Sequence, residues 1–209
     1  MKYSISEFDT IIFDLGEVIV NLDTQAVVNE FARLLKLPSV DLKSILVGSD
    51  ELYLYETGQI DKGLFIERIV DLLGAQISVQ DFENAWNLML ADIPIERLQF
   101  MKELMNTHEV LILSNTNGMH EERFDEMVKI QTGKIMKDFA HKAYYSHRIG
   151  YRKPNQDIYE FVINDRGLIP SKSLFLDDKI ENVLAARDVG LRSEQVLKSN
   201  DIFQILGNA

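Results

Sequence analysis

The sequence predicts an α/β protein: a parallel sheet covered by helices on both faces, with a small helical insertion after the first strand. Three observations carry that expectation. Short apolar runs of strand type recur along the chain, separated by stretches of helical periodicity. The interval between the first and second runs is far longer than one crossover needs, and it reads as helical throughout. Polar clusters follow directly on several of the apolar runs, the arrangement expected where strand ends line a ligand site.

The first run is Thr10–Phe13, which reads as a strand buried on both faces. Val110–Leu113, Ala143–Tyr145 and Leu174–Leu176 have the same character, and a weaker last strand is expected within Leu191–Leu197. Between them, Ile95, Leu98, Met101 and Met105 keep one helical face, as do Ile158, Phe161 and Val162. The alternation of strands and helices is what indicates a parallel sheet. From about Val18 to Glu109 the pattern is different. Val27, Val28, Phe31, Leu34 and Leu35 form one apolar stripe, Phe65, Ile69, Val70 and Leu73 a second, and Phe82, Ala85, Trp86 and Met89 a third. Such stripes are expected to pack on one another as a core. The insertion is placed at residues 22–92, leaving 1–21 and 93–209 as the body of the molecule.

Charge and composition exclude several classes of function. The 209-residue chain has 22 Lys+Arg against 33 Asp+Glu, a formal net charge of −11 and no dense basic run. A nucleic-acid partner is therefore not expected. Without cysteine there are no disulfides, no Cys-ligated zinc and no thiol chemistry. The amino-terminal stretch MKYSISEFDT lacks an apolar signal core. No apolar run approaches the roughly 20 residues of a membrane helix, so the expectation is a cytoplasmic protein with no membrane partner. Oligomeric state is not legible.

Chemistry concentrates at the ends of the strands. Asp14 ends the first run in IIFDLGEV. Ser114, Asn115 and Thr116 follow the second in VLILSNTNG. Lys153 follows the third after a short loop, in YRKPNQDIY, and Asp177 and Asp178 follow the fourth in SLFLDDKIEN. Singly, each is explained by a helix cap, a turn or a solvated loop. Jointly they stand at one edge of one sheet. Three carboxylates brought together repel one another and need a cation, and oxygen ligands without Cys or paired His suit Mg²⁺. An Asp beside such a cation suits nucleophilic phosphoryl transfer through an aspartyl phosphate. Ser114 and the amides that follow it suit phosphate oxygens at a helix start. Lys153 suits charge neutralisation on phosphate and nucleophile. Gly16 is expected to let the backbone turn so that a main-chain carbonyl reaches the metal. The expected partner is a small phosphorylated metabolite.

At these residues the sequence resembles the haloacid dehalogenase superfamily. Its four signatures occur in order as FDLGEV, LILSNTN, YRKPNQDIY and FLDDKIENVLAARDVG, and the insertion is similar to the cap of its first subclass. The resemblance implies a Rossmannoid core with a mobile helical cap and an Mg²⁺-dependent phosphatase. It implies Asp14 as nucleophile, Ser114 as the phosphate-binding hydroxyl with Asn115 beside it, and Lys153 as the third-signature lysine. Asp177 and Asp178 match the acidic pair, Asp178 directly on Mg²⁺ and Asp177 partly through water. Asn182 supports them, and the Gly16 carbonyl is the main-chain ligand. One departure matters: Gly16 stands where typical phosphatases of the superfamily carry a second Asp as general acid and base, a group worth roughly 10²- to 10⁴-fold. The Asp-x-Gly form resembles the subgroup of the bacterial α-D-glucose-1-phosphate phosphatases, which implies a sugar phosphate with a good leaving group. A replacement acid, with Glu17 and Asp23 nearby, is a second reading of the same departure. A weakly catalytic ligand-binding or regulatory protein is a third. The dehalogenase branch carries Tyr at that position, so dehalogenation is not expected.

The remaining candidates are bland in sequence. No HExxH or close His pair points to zinc. His120 is expected on the surface of the helix after the second signature, with Glu121 and Glu122 in a solvated first turn. Arg152 contacts either phosphate or its own loop, and Tyr53 and Tyr55 either face a cavity or pack between cap helices.

Overall fold

The computed structural model describes residues 4–36, 39–198 and 200–207. In chain order the strands are β1 (Thr10–Phe13), β2 (Asn21–Leu22), β3 (Leu90–Asp92), β4 (Glu109–Ser114), β5 (Lys142–Tyr145), β6 (Ser173–Asp177) and β7 (Arg192–Gln195). The helices are α1 (Thr24–Leu35), α2 (Ser39–Gly48), α3 (Asp50–Glu56), α4 (Lys62–Leu73), α5 (Val79–Asn87), α6 (Ile95–Leu104), α7 (Gly118–Thr132), α8 (Ser146–Ile149), α9 (Gln156–Arg166), α10 (Ile180–Asp188) and α11 (Asp201–Ile205).

Five strands form one parallel sheet in the order β5-β4-β1-β6-β7. The pattern of β1 shows why it lies in the middle. All four of its residues are buried, and alternate side chains serve opposite faces. Ile11 and Phe13 pack into a layer with α6, α7 and α11, while Ile12 packs with α9 and α10 on the other side. The outer strand β7 reads Arg-Ser-Glu-Gln and is an edge. Its polar residues blunt that edge, and the apolar Leu191 and Val196 that suggested a weak strand flank it.

The helices α1 to α5 form a cap with its own core around Phe31, Phe65, Phe82 and Trp86. Phe65 stacks on Tyr55 with centroids 4.5 Å apart and meets Trp86 edge-on at 5.1 Å. Side-chain caps set the helix starts: Asp23, Asp61 and Ser78 accept from the backbone of Ala26, Leu64 and Asp81. The expectation of a wholly helical interval fails at its ends. The strands β2 and β3 pair antiparallel there, and Asn21 Nδ2 donates to Asp92 Oδ1 at 2.9 Å. The chain leaves and re-enters the core at neighbouring points, so its two connections run side by side and bond. Two or three residues are too few to leave an alternation in the sequence. Among the described residues, no helix is long and apolar enough to cross a membrane.

Candidate active site

The register of the sheet brings the polar clusters together. Phe13 is level with Ile112 on one side and Leu176 on the other. The next residue, Asp14, therefore emerges between the ends of β4 and β6, its amide donating to the Leu176 carbonyl at 2.9 Å. Asp14, Asp177 and Asp178 each offer a carboxylate oxygen within 4.8 Å of the others. Lys153 reaches into this cluster from the loop before α9. Its Nζ lies 2.9 Å from Asp14 Oδ1 and donates to Asp177 Oδ2 at 2.7 Å and to the Leu113 carbonyl at 2.9 Å. The lysine is 2% exposed.

The acidic pair is divided by its hydrogen bonds. Asp177 Oδ1 accepts from the Lys179 amide and Asn182 Nδ2, and Oδ2 accepts from Lys153 and, at 3.0 Å, from Asn182. Both oxygens are thus committed to the protein. Among the described residues, Asp178 makes no side-chain hydrogen bond of this kind, and it lines the cavity with Ser114 and Gly16. Ser114 Oγ makes no hydrogen bond among the described residues. Burial pushes Asp177 up, but Lys153, the Lys179 amide and Asn182 outweigh it and hold the carboxyl below the usual range. Burial raises Asp178, and Asp177 adds to that. Burial also raises Asp14 to about 7, with Lys153 opposing and Asp177 and Asp178 reinforcing. Burial lowers Lys153, but Asp14 and Asp177 outweigh it and raise it, so the ammonium stays charged.

The turn after β1 differs in detail from expectation. The Leu15 carbonyl accepts from the amides of Ile19 and Val20, both at 2.8 Å, which closes a tight loop. Gly16 is not the residue in the left-handed region; Glu17 is, at φ 56°. What Gly16 supplies is space, because a Cβ there would lie 3.0 Å from Leu22 Cδ1. Glu17 lines the cavity, and its Oε1 accepts from the Leu22 amide at 3.2 Å. Asp23 is exposed and spends its carboxylate on capping α1.

The loop after β4 is braced by partners that lie far away in sequence. Asn115 Nδ2 donates to the Lys153 carbonyl at 2.8 Å, and Oδ1 accepts from the Lys153 amide at 2.9 Å. Its side chain therefore clamps the backbone that carries Lys153, just before the cis Lys153–Pro154 bond. The Thr116 amide donates to Ser146 Oγ at 3.0 Å, and the Met119 amide to Tyr55 Oη at 3.1 Å. Those two amides are occupied by protein and do not face a phosphate.

Four side chains were misplaced or left open by sequence reasoning, three of them at the cap–core boundary. His120 is buried, not on the surface. It stacks on Trp86 of the cap at 5.6 Å and lines the cavity, and burial depresses it to about 4. Glu121 is buried as well, accepting from His147 Nε2 and Arg148 Nε at 2.9 and 2.7 Å. Burial raises it, but those two partners outweigh burial and lower it. Arg152 lies beside Glu56 of the cap, Nε to Oε2 2.8 Å, with its guanidinium 5.5 Å over the Tyr53 ring. Tyr55 packs within the cap while its hydroxyl reaches α7. A helical wheel of α7 cannot reveal a covering cap, although the basic pair His147–Arg148 offered Glu121 a partner.

Known proteins with this arrangement are recognisable by sequence and by shape. The D-ribitol-5-phosphate phosphatase of Bacteroides thetaiotaomicron is 28% identical over 188 residues, covering 88% of this chain and 90% of that one. A HAD family enzyme of the same organism, crystallised with magnesium and inorganic phosphate, superposes with a TM-score of 0.82 at 25% identity, covering 90% of this chain and 93% of that one. A HAD-like family hydrolase of Porphyromonas gingivalis superposes with a TM-score of 0.84 at 24% identity, covering 97% of this chain and 100% of that one. The family model for haloacid dehalogenase-like hydrolases matches residues 8–190. With the parallel order of the sheet, the cap inserted after β1 and the acidic cluster at the strand ends, that match across most of the chain makes it a member of the haloacid dehalogenase-like hydrolases.

Proposed function

We propose that this hydrolase is an Mg²⁺-dependent phosphatase of a small phosphorylated polyol or sugar, working through an aspartyl phosphate on Asp14, with residues 22–92 as its cap and 1–21 with 93–209 as its core. The observation that carries the reading is the division of labour around Lys153. Its ammonium bridges Asp14 and Asp177, while Asp178 and Ser114 keep open oxygens on the same cavity.

The donor set fits a hard divalent cation. Three carboxylates lie within reach of one another, with no His or Cys among them. Asp14, Asp178 and the Gly16 carbonyl would hold Mg²⁺, and Asp177, with both oxygens already bonded, would act through water. When bound, Mg²⁺ supplies positive charge for the phosphoryl oxygens and for the crowded carboxylates.

The chain's own residues account for the rest. Ser114 Oγ donates to a phosphate oxygen, and Lys153 holds Asp14 in place and neutralises it. Asn115 serves by clamping the Lys153 backbone rather than by touching phosphate. An Asp14 carboxylate oxygen attacks phosphorus, the bond to the ester oxygen breaks, and that oxygen leaves with the electron pair. Water then attacks the same phosphorus, releasing phosphate and restoring the carboxylate. Gly16 carries no acid for the leaving oxygen. Of the two replacements, Asp23 is committed to its cap, and Glu17 is the one on the cavity. The relative named for D-ribitol 5-phosphate supports a polyol or sugar substrate.

A panel of hexose 1-phosphates, hexose 6-phosphates and pentitol phosphates with Mg²⁺ tests the reading. Phosphate release is expected, abolished by chelation of the metal and lost at least about 10³-fold in Asp14→Asn with the circular dichroism unchanged. Undiminished turnover by Asp14→Asn would overturn it. Ester binding without turnover would mark a ligand-binding protein instead.

A further inference from the structure

The strand β4 ends at Ser114, and the chain that follows lines the cavity through Asn115 and Thr116. The next fixed point is Asn117, whose Oδ1 accepts from the His120 amide at the start of α7. Thr116 stands between these two anchors and is buried, so its N–H and C=O both need partners. One hydroxyl meets both. Ser146 Oγ accepts from the Thr116 amide and donates to the Thr116 carbonyl, each at 3.0 Å. A hydroxyl carries one proton and two lone pairs, so the two bonds coexist. His147 Nδ1 lies 3.1 Å from the same carbonyl oxygen. The register of the sheet explains why residue 146 has this place. Ser114 is level with Tyr145 across the β4–β5 ladder, so the residue after Tyr145 stands beside the loop after Ser114. Ser146 is fully buried there and is not one of the described residues lining the cavity.

We infer that Ser146 is a positioning residue for phosphate: its hydroxyl holds Thr116 so that Ser114 Oγ stays where a phosphate oxygen binds. The inference rests on the phosphatase reading for the role of Ser114 and adds the group that sets its place. Asn115 makes the complementary clamp, its side chain gripping the Lys153 backbone. One clamp reaches into the loop and the other reaches out of it. Together they tie Ser114 and Lys153, the hydroxyl and the cation on the phosphate, to one frame. Ser173 shows what a buried serine does elsewhere in this sheet. It is 1% exposed, and its Oγ donates to the Ile169 carbonyl at 3.0 Å. It begins β6, so it lies at the opposite edge from the site.

Hydrogen exchange and phosphate binding by the full chain with Mg²⁺ test the inference. Ser146→Ala is expected to speed exchange of the Thr116 amide by about 10-fold or more. It is expected to raise Kd for inorganic phosphate about 5- to 10-fold and to lower kcat/KM on the best ester about 10- to 100-fold. Ser173→Ala makes the same chemical change and is expected to move none of the three. The effect should also pass through Ser114. In a Ser114→Ala background, Ser146→Ala is expected to change the phosphate Kd by less than about 2-fold. Ser146→Cys fills a similar space with a weak donor and acceptor; it serves where Ser146→Ala fails to fold, with the same directions expected. Equal weakening of phosphate binding with and without the Ser114 hydroxyl would mark a merely structural serine and overturn the inference. So would an unchanged exchange rate at Thr116. A parent protein that binds no phosphate ends the phosphatase reading and this inference with it. A parent that binds phosphate, with a Ser146→Ala protein that binds it equally well, ends this inference alone.

Discussion

Gly58 offers a direct test of whether the cap must seat against the core for activity. It lies between α3 and α4 at φ +67°, and a Cβ built on it would meet the His147 carbonyl oxygen at 2.2 Å. That obstacle is backbone of α8, not the end of a flexible side chain. To reach even 3.0 Å, cap and core must part by at least 0.8 Å at this point. Gly74 is the matched control: it sits at φ +60° with nothing within 4 Å of the added Cβ. Both Gly→Ala changes carry the left-handed backbone penalty of about 1 kcal/mol. Only Gly58→Ala adds the wedge. A displacement of about 1 Å at a reacting centre costs roughly 10²-fold. Gly58→Ala is therefore expected to lower kcat/KM by about that factor, whereas Gly74→Ala loses about 1 kcal/mol of stability and keeps its kcat/KM. Urea unfolding and steady-state kinetics on the best substrate of the panel read both quantities. Equal kcat/KM for the two variants would refute the idea that close apposition of Gly58 and His147 sets the working geometry.

Lys153→Met leaves Asp14 and Asp177 adjacent, buried and without their shared cation. Urea unfolding is expected to show a loss of about 3–5 kcal/mol, partly restored by Mg²⁺; an unchanged midpoint would contradict the bridging role. His120 is held near a pKa of 4 against an ordinary 6.5, so below pH 6.5 the unfolded chain takes up a proton that the folded one refuses. Stability on this account falls as pH drops from about 6.5 to about 4, by about 3 kcal/mol over the full window, and is unaffected above it. Denaturation of His120→Gln across that range should show a shallower acid limb than the parent, and parallel limbs would reject the assignment. Gly16→Asp requires only the far end of Leu22 to give way, so the variant should fold. If leaving-group protonation limits the rate, its kcat on poor leaving groups rises by up to about 10²-fold; a fall on every ester would show that Leu22's position matters more than the missing acid.

The sequence exposes the parts of this molecule whose signals are local. β1 and the inner strands are buried on both faces, so their runs are continuously apolar and end abruptly where the chain meets the cavity. Asp14, Ser114, Lys153 and Asp177 could be placed at one edge because a parallel sheet puts all its carboxyl ends on one side. What depends on distant partners was not legible. His120 and Glu121 look solvated on their own helix, and only the folded chain brings Trp86 and the His147–Arg148 pair over them. Asn115 has the composition of a phosphate loop, yet its amide is spent on the backbone of a residue 38 positions away. The β2–β3 ribbon has too few residues for any periodicity.

The departure at Gly16 looks different once its neighbour is known. A missing acid implies an empty place, but here Leu22 Cδ1 stands against the glycine, so the space is filled by an apolar group from the ribbon that leads into the cap. Leu22 and Val20 also line the cavity, which makes this side of it less polar than a phosphatase with an acid there would have. Glu17, which also lines the cavity, is tied at one oxygen to the amide of Leu22 itself. It is held at φ 56°, a conformation worth about 1 kcal/mol of strain for a residue with a side chain. The ribbon, the strained glutamate and the glycine therefore meet at one residue: Leu22 fills the space beside Gly16 with its side chain and holds Glu17 through its amide. An Asp at position 16 would have to displace that leucine, so the glycine and the apolar ribbon go together.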